Sequence, residues 1–262
     1  MRLLLSGKNA LVCGSTQGIG LASAVELSKS GANIILLARN ERRLTESLEK
    51  LETSNGQVHR YFIADFSRNE EVKEAIEKIK SEGVQIHILI NNTGGPPGGK
   101  LLDASVESLL NTFQMHLINY HLLAQAFVPD MKAAGFGRIV NIISTSVKQP
   151  IAGLGVSNTI RWAVAAWAKT LAGELGPDGI TVNNVLPGFT KTARLDAVIR
   201  MRAQDQHKSE EDIAHLLAES IPTRRFAEAS EVGNAVAFLC SPGAGSINGI
   251  NLPVDGGSTL SL

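Results

Sequence analysis

Cysteine is scarce in this sequence: Cys13 and Cys240 are the only two, far apart and each inside an apolar stretch. That excludes a disulfide framework and a thiolate metal site, and it predicts two buried thiols. The six histidines show no ligand spacing, so no metal is expected. Neither charge is in surplus, since 25 Lys and Arg balance 25 Asp and Glu. Without a basic excess there is little to neutralise a phosphate backbone, which argues against nucleic acid as the main partner and for a small soluble ligand. Long hydrophobic runs are missing as well. No stretch reaches the roughly 18 apolar residues of a membrane span, and residues 1–8 hold too short an apolar run for a signal peptide. A cytoplasmic protein is the expectation. Tyrosine is as rare as cysteine, with Tyr61 and Tyr120 alone.

What is present is enough for a full core: 262 residues, of which 44% are hydrophobic, are read as one domain spanning 1–262. Near its start an apolar run at 10–13 leads into Gly14, Ser15, Thr16, Gln17, Gly18, Ile19 and Gly20, and an amphipathic helical pattern follows through Leu27. This reads as strand, tight turn and helix. Gly14 would allow the sharp turn, Gly18 the approach of backbone amides to an anion, and Gly20 close packing of helix on strand. The free N–H groups of such a helix start suit a pyrophosphate. The spacing is G-x-x-x-G-x-G, not the commoner G-x-G-x-x-G, and an ordinary glycine-rich turn is the competing reading.

Further strands are expected at 33–38, 59–64, 86–90, 137–144, 181–186 and 250–257, with helices at about 40–54, 69–82, 105–134, 157–175 and 232–239. The helix at 105–134 should kink near Pro129. The helix at 157–175 is apolar on nearly every face, which calls for cover by the sheet and by a second subunit. Residues from about 190 to 222 are charged, without a strong core pattern, and read as a helical lid. Pro96-Pro97-Gly98-Gly99 either shapes a substrate mouth or is a surface turn. After the second strand Arg39 stands with no carboxylate beside it, as expected for a 2′-phosphate and hence NADP(H) over NAD(H), unless it is only a solvated helix-start residue.

The glycine turn, Asp65, the Asn91-Asn92-Thr93-Gly94 segment, 139–144, Pro187-Gly188 and Val254-Asp255-Gly256-Gly257 together resemble the short-chain dehydrogenase/reductase family, over essentially the whole chain. The pattern is most similar to the family's 3-oxoacyl-acyl-carrier-protein reductase branch. The resemblance implies a single-domain α/β fold, a Rossmann-type doubly wound parallel sheet of about seven strands with helices on both faces. It implies an NADP-dependent oxidoreductase that reduces a carbonyl, with a 3-oxoacyl group as one candidate, or oxidises the alcohol, and a homotetramer or dimer. It places Asp65 and Phe66 at the adenine, and Asn92, Gly94, Arg161, Pro187, Gly188, Thr190 and Thr192 along the rest of the cofactor.

The same resemblance exposes a departure. Ser144 keeps the role of a carbonyl-polarising serine, but the family's tyrosine position is Ser157, its lysine position Arg161 and its asparagine position His116. Ser157 and Arg161 are still one helical turn apart. A serine is a far weaker acid than a tyrosine, and Arg161 keeps its proton near neutral pH. His116, with an ordinary pKa near 6.5, is the candidate proton donor, and a packing histidine is the alternative. Tyr120, one turn beyond, lies too deep; Tyr61 belongs to the adenine side, and Lys148 is either a second cation or solvated. A catalytically inactive dinucleotide-binding sensor or assembly protein is the competing function, and a lyase or dehydratase a third.

Overall fold

The computed structural model describes residues 4–261. Met1, Arg2 and Leu3, part of the stretch read for a leader, lie outside them. Seven strands, β1 (Asn9–Cys13), β2 (Asn33–Ala38), β3 (Arg60–Ile63), β4 (Ile88–Asn91), β5 (Gly137–Ile142), β6 (Ile180–Pro187) and β7 (Asn251–Val254), form one parallel sheet in the order β3-β2-β1-β4-β5-β6-β7. The chain leaves β1 towards one edge and β4 towards the other, so a crevice opens at the carboxyl ends between them. The central strands are continuous apolar runs because helices cover both faces: Leu11, Val12, Ile88, Leu89 and Ile90 are fully buried.

One face carries α1 (Gly18–Lys29), α2 (Glu41–Leu48) and α9 (Ala229–Cys240). Helix α1 meets α9 through small residues. A Cβ on Gly233 would lie 2.8 Å from the Ala22 carbonyl oxygen, so the helices touch backbone to backbone. The buried stripe of α1 is accordingly Gly20, Ser23, Ala24 and Leu27. Ile19 and Val25 pack partly buried against that face's core. The other face carries α3 (Asn69–Ser81), α4 (Val106–Phe113), α5 (Asn119–Ala133) and α6 (Gly155–Leu175). Cys13 and Cys240 are buried free thiols, as expected.

Three expectations are corrected. The helix at 105–134 breaks at a π-helical turn, Gln114–Ile118, and not at Pro129, which lies inside unbroken α5. Pro129 and Gln125 are both exposed, so the carbonyl that loses its N–H partner can face water. The segment read as a lid, in contrast to its weak pattern, has a core of its own: α7 (Ala193–Gln206) and α8 (Glu210–Glu219) bury Leu195, Ile199, Ala203, Ile213 and Leu217, with Phe189 and Phe226 against them. Both helices are mostly exposed outside that stripe, which dilutes the signal in sequence. Shorter than expected, α2 stops at Leu48.

Strand register near the crevice is set by side chains as well as by backbone. Asn91, Asn141, Asn184 and Asn251 occupy one row across β4, β5, β6 and β7. Each amide donates to the next, at 2.8, 2.9 and 2.8 Å.

Candidate active site

The glycine turn is built as a cradle for an anion. Gly14 and Gly18 take φ of +57° and +53°, a region that disfavours any side chain. A Cβ on Gly20 would sit 2.2 Å from the Gly14 carbonyl oxygen, so only glycine lets α1 start this close to β1. Gln17 caps α1 without a side-chain bond, and no acid lies in the first turn. The leading amides of α1 are therefore left to a ligand. Ser15 Oγ, buried in the turn, has no hydrogen-bond partner. An orphaned hydroxyl beside uncapped amides fits a dinucleotide pyrophosphate, with Thr16 and Ile19 half-buried alongside.

Just beyond the end of β2 Arg39 reaches Asp65, 3.4 Å away, while its side chain stays 74% exposed. Asp65 also accepts from the Ser67 amide and hydroxyl. Partial burial disfavours its charge, but the Ser67 bonds and Arg39 outweigh this and hold its pKa below the usual carboxylate value. Phe66 is buried in the core beneath, and its carbonyl accepts from Asn119. Tyr61 hydrogen-bonds Glu41 on this same side. Sequence reasoning missed Arg43, whose Nη1 donates to Gln17 Oε1 at 3.1 Å. The signal was present in the sequence: Asn40 caps α2 by accepting from the Arg43 amide, which turns the first helical residues back over the glycine turn.

Along the crevice the assigned residues divide into those that shape it and those that line it. Asn92 donates to the Cys13 and Gly14 carbonyls and so ties the end of β4 to the cradle. Gly188 abuts Asp255, where a Cβ would meet that side chain at 2.7 Å, and Pro187 ends β6 beside Val254. Thr190 is buried, its hydroxyl turned to the Gly188 carbonyl. Thr192 faces Gly18, with its methyl 3.1 Å from where a Cβ would stand. Gly94 has open space beside it.

The reacting end is assembled by α6 lying across the end of β5. Arg161 Nη1 donates to the Ile142 carbonyl and Trp162 Nε1 to the Ser146 carbonyl, and these bonds hold Ser144 and Ser157 at the same end of the sheet. Ser144, extended, accepts from the Ser146 amide and caps the short turn Thr145–Val147, which Lys148 ends. Ser157 is buried, and its hydroxyl accepts from Arg161 Nε at 3.2 Å. The hydroxyl proton of Ser157 is then free to point away from the guanidinium. Burial lowers the Arg161 pKa, with Arg194 adding to the effect and Tyr120 opposing it.

His116 does not fit the role of a charged acid. It is 1% exposed, and burial, reinforced by the Arg161 charge, pushes its pKa down to about 3 against weak opposition from the Gly94 backbone. At neutral pH it is a neutral imidazole. Its Nδ1 lies 3.4 Å from the Tyr120 hydroxyl, and its Nε2 has no partner. Tyr120 is fully buried, with its pKa raised by that burial.

The comparisons agree with this geometry. A family model described as Enoyl-(Acyl carrier protein) reductase matches residues 14–259. The 3-oxoacyl-[acyl-carrier-protein] reductase FabG of Haemophilus influenzae is 34% identical over 259 residues, covering 98% of this chain and 100% of that protein. The crystal structure of L-sorbose reductase from Gluconobacter frateurii, complexed with NADPH and L-sorbose, matches with a TM-score of 0.93 at 32% identity, covering 100% of each chain. An actinorhodin polyketide ketoreductase solved with NADPH matches at 0.90 and 30% identity over 97% of each chain. With the cradle, the parallel sheet and these relatives in one chain, the protein belongs to the short-chain dehydrogenase/reductase family of oxidoreductases, close to its 3-oxoacyl-acyl-carrier-protein reductase branch.

Proposed function

We propose that the chain is an NADP(H)-dependent reductase of a small-molecule carbonyl, with 3-oxoacyl compounds among the candidate substrates, or a dehydrogenase of the corresponding alcohol. The observation that carries the cofactor preference is the pair Arg39, just after β2, and Arg43, in the first turn of α2, with the acid of this corner, Asp65, already engaged by Ser67 and Arg39. Two guanidiniums in reach of one corner suit the dianionic 2′-phosphate of NADP(H). A bound nicotinamide would supply or take the hydride. Ser144 and Ser157 hydrogen-bond the substrate oxygen, and Arg161 stabilises the negative charge that grows on it. In reduction the carbon gains the hydride and the oxygen gains a proton, which comes from water by way of the Ser157 hydroxyl. His116, neutral, orients that water from its unpartnered Nε2.

Titration with NADPH and NADH, followed by cofactor fluorescence, tests the reading. NADPH should bind at least about tenfold more tightly, and Arg39→Ala with Arg43→Ala should erase the difference, as expected for losing about 1.5–3 kcal/mol of charged hydrogen bonding. Failure to bind either cofactor overturns it. Ser157 and Arg161, at positions where the resembled family has tyrosine and lysine, favour a second reading, a cofactor-binding protein without catalysis. Ser157→Tyr with Arg161→Lys separates the two: an active wild type impaired by the change supports the first, an inert wild type that gains activity the second.

A further inference from the structure

Two arginines converge on Gly95. A Cβ built there would lie 3.6 Å from Arg161 Nη2 and 3.7 Å from Arg194 Nη2. Neither arginine makes an ion pair among the described residues. Arg161 spends Nε on Ser157 and Nη1 on Ile142, leaving Nη2 towards Gly95 without a protein acceptor. Its electrostatic neighbours include Tyr120, the like charge of Arg194 and the imidazole of His116. Two cations held this close without an acid repel one another, so the arrangement is completed by an anion from outside.

The position of Arg194 says which part of the crevice that anion occupies. Arg194 stands on the first turn of α7 and crosses to the opposite wall, where it donates to the Pro96 carbonyl at 2.9 Å. That wall is a strap, 95–99. Gly99 bonds the Gly153 carbonyl and in turn accepts from the Gly155 amide, two residues before Ser157. On the lid side Met201 Sδ comes within 3.0 Å of a Cβ on Gly98. Proline at 96 and 97 stiffens the strap. Arg194 therefore sits where lid, strap and the Ser157 helix meet, at the substrate mouth and not at the Arg39 and Arg43 corner.

We propose that Arg194 is a specificity-determining residue that receives a carboxylate of the substrate. Arg161 then serves the reacting oxygen, and the substrate is an oxo acid or hydroxy acid anion, not a neutral thioester. This rests on the carbonyl-reductase reading above. The forked guanidinium takes a carboxylate with two parallel bonds, and doing so it would share or release the Pro96 carbonyl it now holds.

Acetate and acetamide, alike in size and differing in charge, test it on the NADPH-bound protein. Bound-cofactor fluorescence should respond to acetate saturably, at a Kd at least about tenfold below that for acetamide, a difference of about 1.4 kcal/mol. Arg194→Gln should abolish the preference while the NADPH Kd changes by less than about threefold, and Arg194→Lys should keep part of it. Equal binding of acetate and acetamide overturns the proposal. So does a matching loss of NADPH affinity in Arg194→Gln, which would assign the arginine to the cofactor phosphates. No NADPH binding in the wild type is the separate failure of the reductase reading itself.

Discussion

A histidine kept neutral by burial contributes to stability in one direction of pH. The folded pKa of His116 is about 3 and its ordinary value 6.5, so the unfolded chain binds the extra proton between them. The stability it permits is complete above pH 6.5 and falls by about 1.4 kcal/mol per unit as pH drops towards 3. Urea unfolding at pH 7 and pH 5 should show wild type losing about 2 kcal/mol more than His116→Asn; equal losses would mean a solvated ring. The same neutrality predicts a reductive kcat/KM that stays level from about pH 6 to 9, because neither the serines nor Arg161 titrate there. A kcat/KM that falls as pH rises through about 6.5 would restore His116 as the donor. At this scale the sequence was legible where structure is local: the glycine turn joins β1 to α1, Ser144 follows β5, and Ser157 and Arg161 are hydrogen-bonded one helical turn apart. It was not legible where an environment comes from distant segments. His116 looks ordinary until α5, α6 and the Gly94 backbone enclose it, and Arg194 acquires meaning only when α7 folds back to Pro96.

Elements were read well where hydrophobic period and length speak together. The apolar strand at 33–38 and the α3 stripe of Val72, Ala75, Ile76 and Ile79 stand as the pattern implied, and the strand expected at 137–144 ends at Ile142. The asparagine row across β4 to β7 could not be read, since it joins residues up to 67 positions apart. Its middle member makes it testable. Asn141→Ala would leave the Asn91 amide and the Asn184 carbonyl without their partners in a buried place. At about 1–3 kcal/mol for each unmet group, a loss of roughly 2–6 kcal/mol is expected in chemical unfolding, against under about 1 for a surface substitution. The break at Gln114–Ile118 was misplaced for a related reason. Proline is visible in a sequence, whereas a π turn depends on packing against distant segments; this one carries the buried His116 and leads directly to the buried Tyr120.

For the whole molecule the telling surface is the one left uncovered. Leu102, Val106, Leu110 and Trp162 are 96%, 72%, 61% and 50% exposed, and they lie on or beside α4 and α6, which pack against each other. Scattered apolar residues need no explanation, but a run at helical spacing, joined by a tryptophan on the neighbouring helix, is the mark of a face that meets another subunit. The apolar character of α6 led to the same homotetramer or dimer reading. Light scattering should give a mass that is a multiple of 27.9 kDa, and Val106→Asp with Leu110→Asp should return it to one chain. A wild type that runs as a single chain would end the reading. The site is coupled to that face through Trp162, which holds the Ser146 carbonyl two residues from Ser144, and whose neighbour Arg161 holds both Ser157 and Ile142. On the oligomer reading, dissociation takes from α6 the apolar contact that would fix its rotation over the end of β5. The dissociated variant should therefore keep NADPH binding, which depends on the far side of the crevice, and lose kcat; loss of both in equal measure would show that the surface supports the fold and not the site.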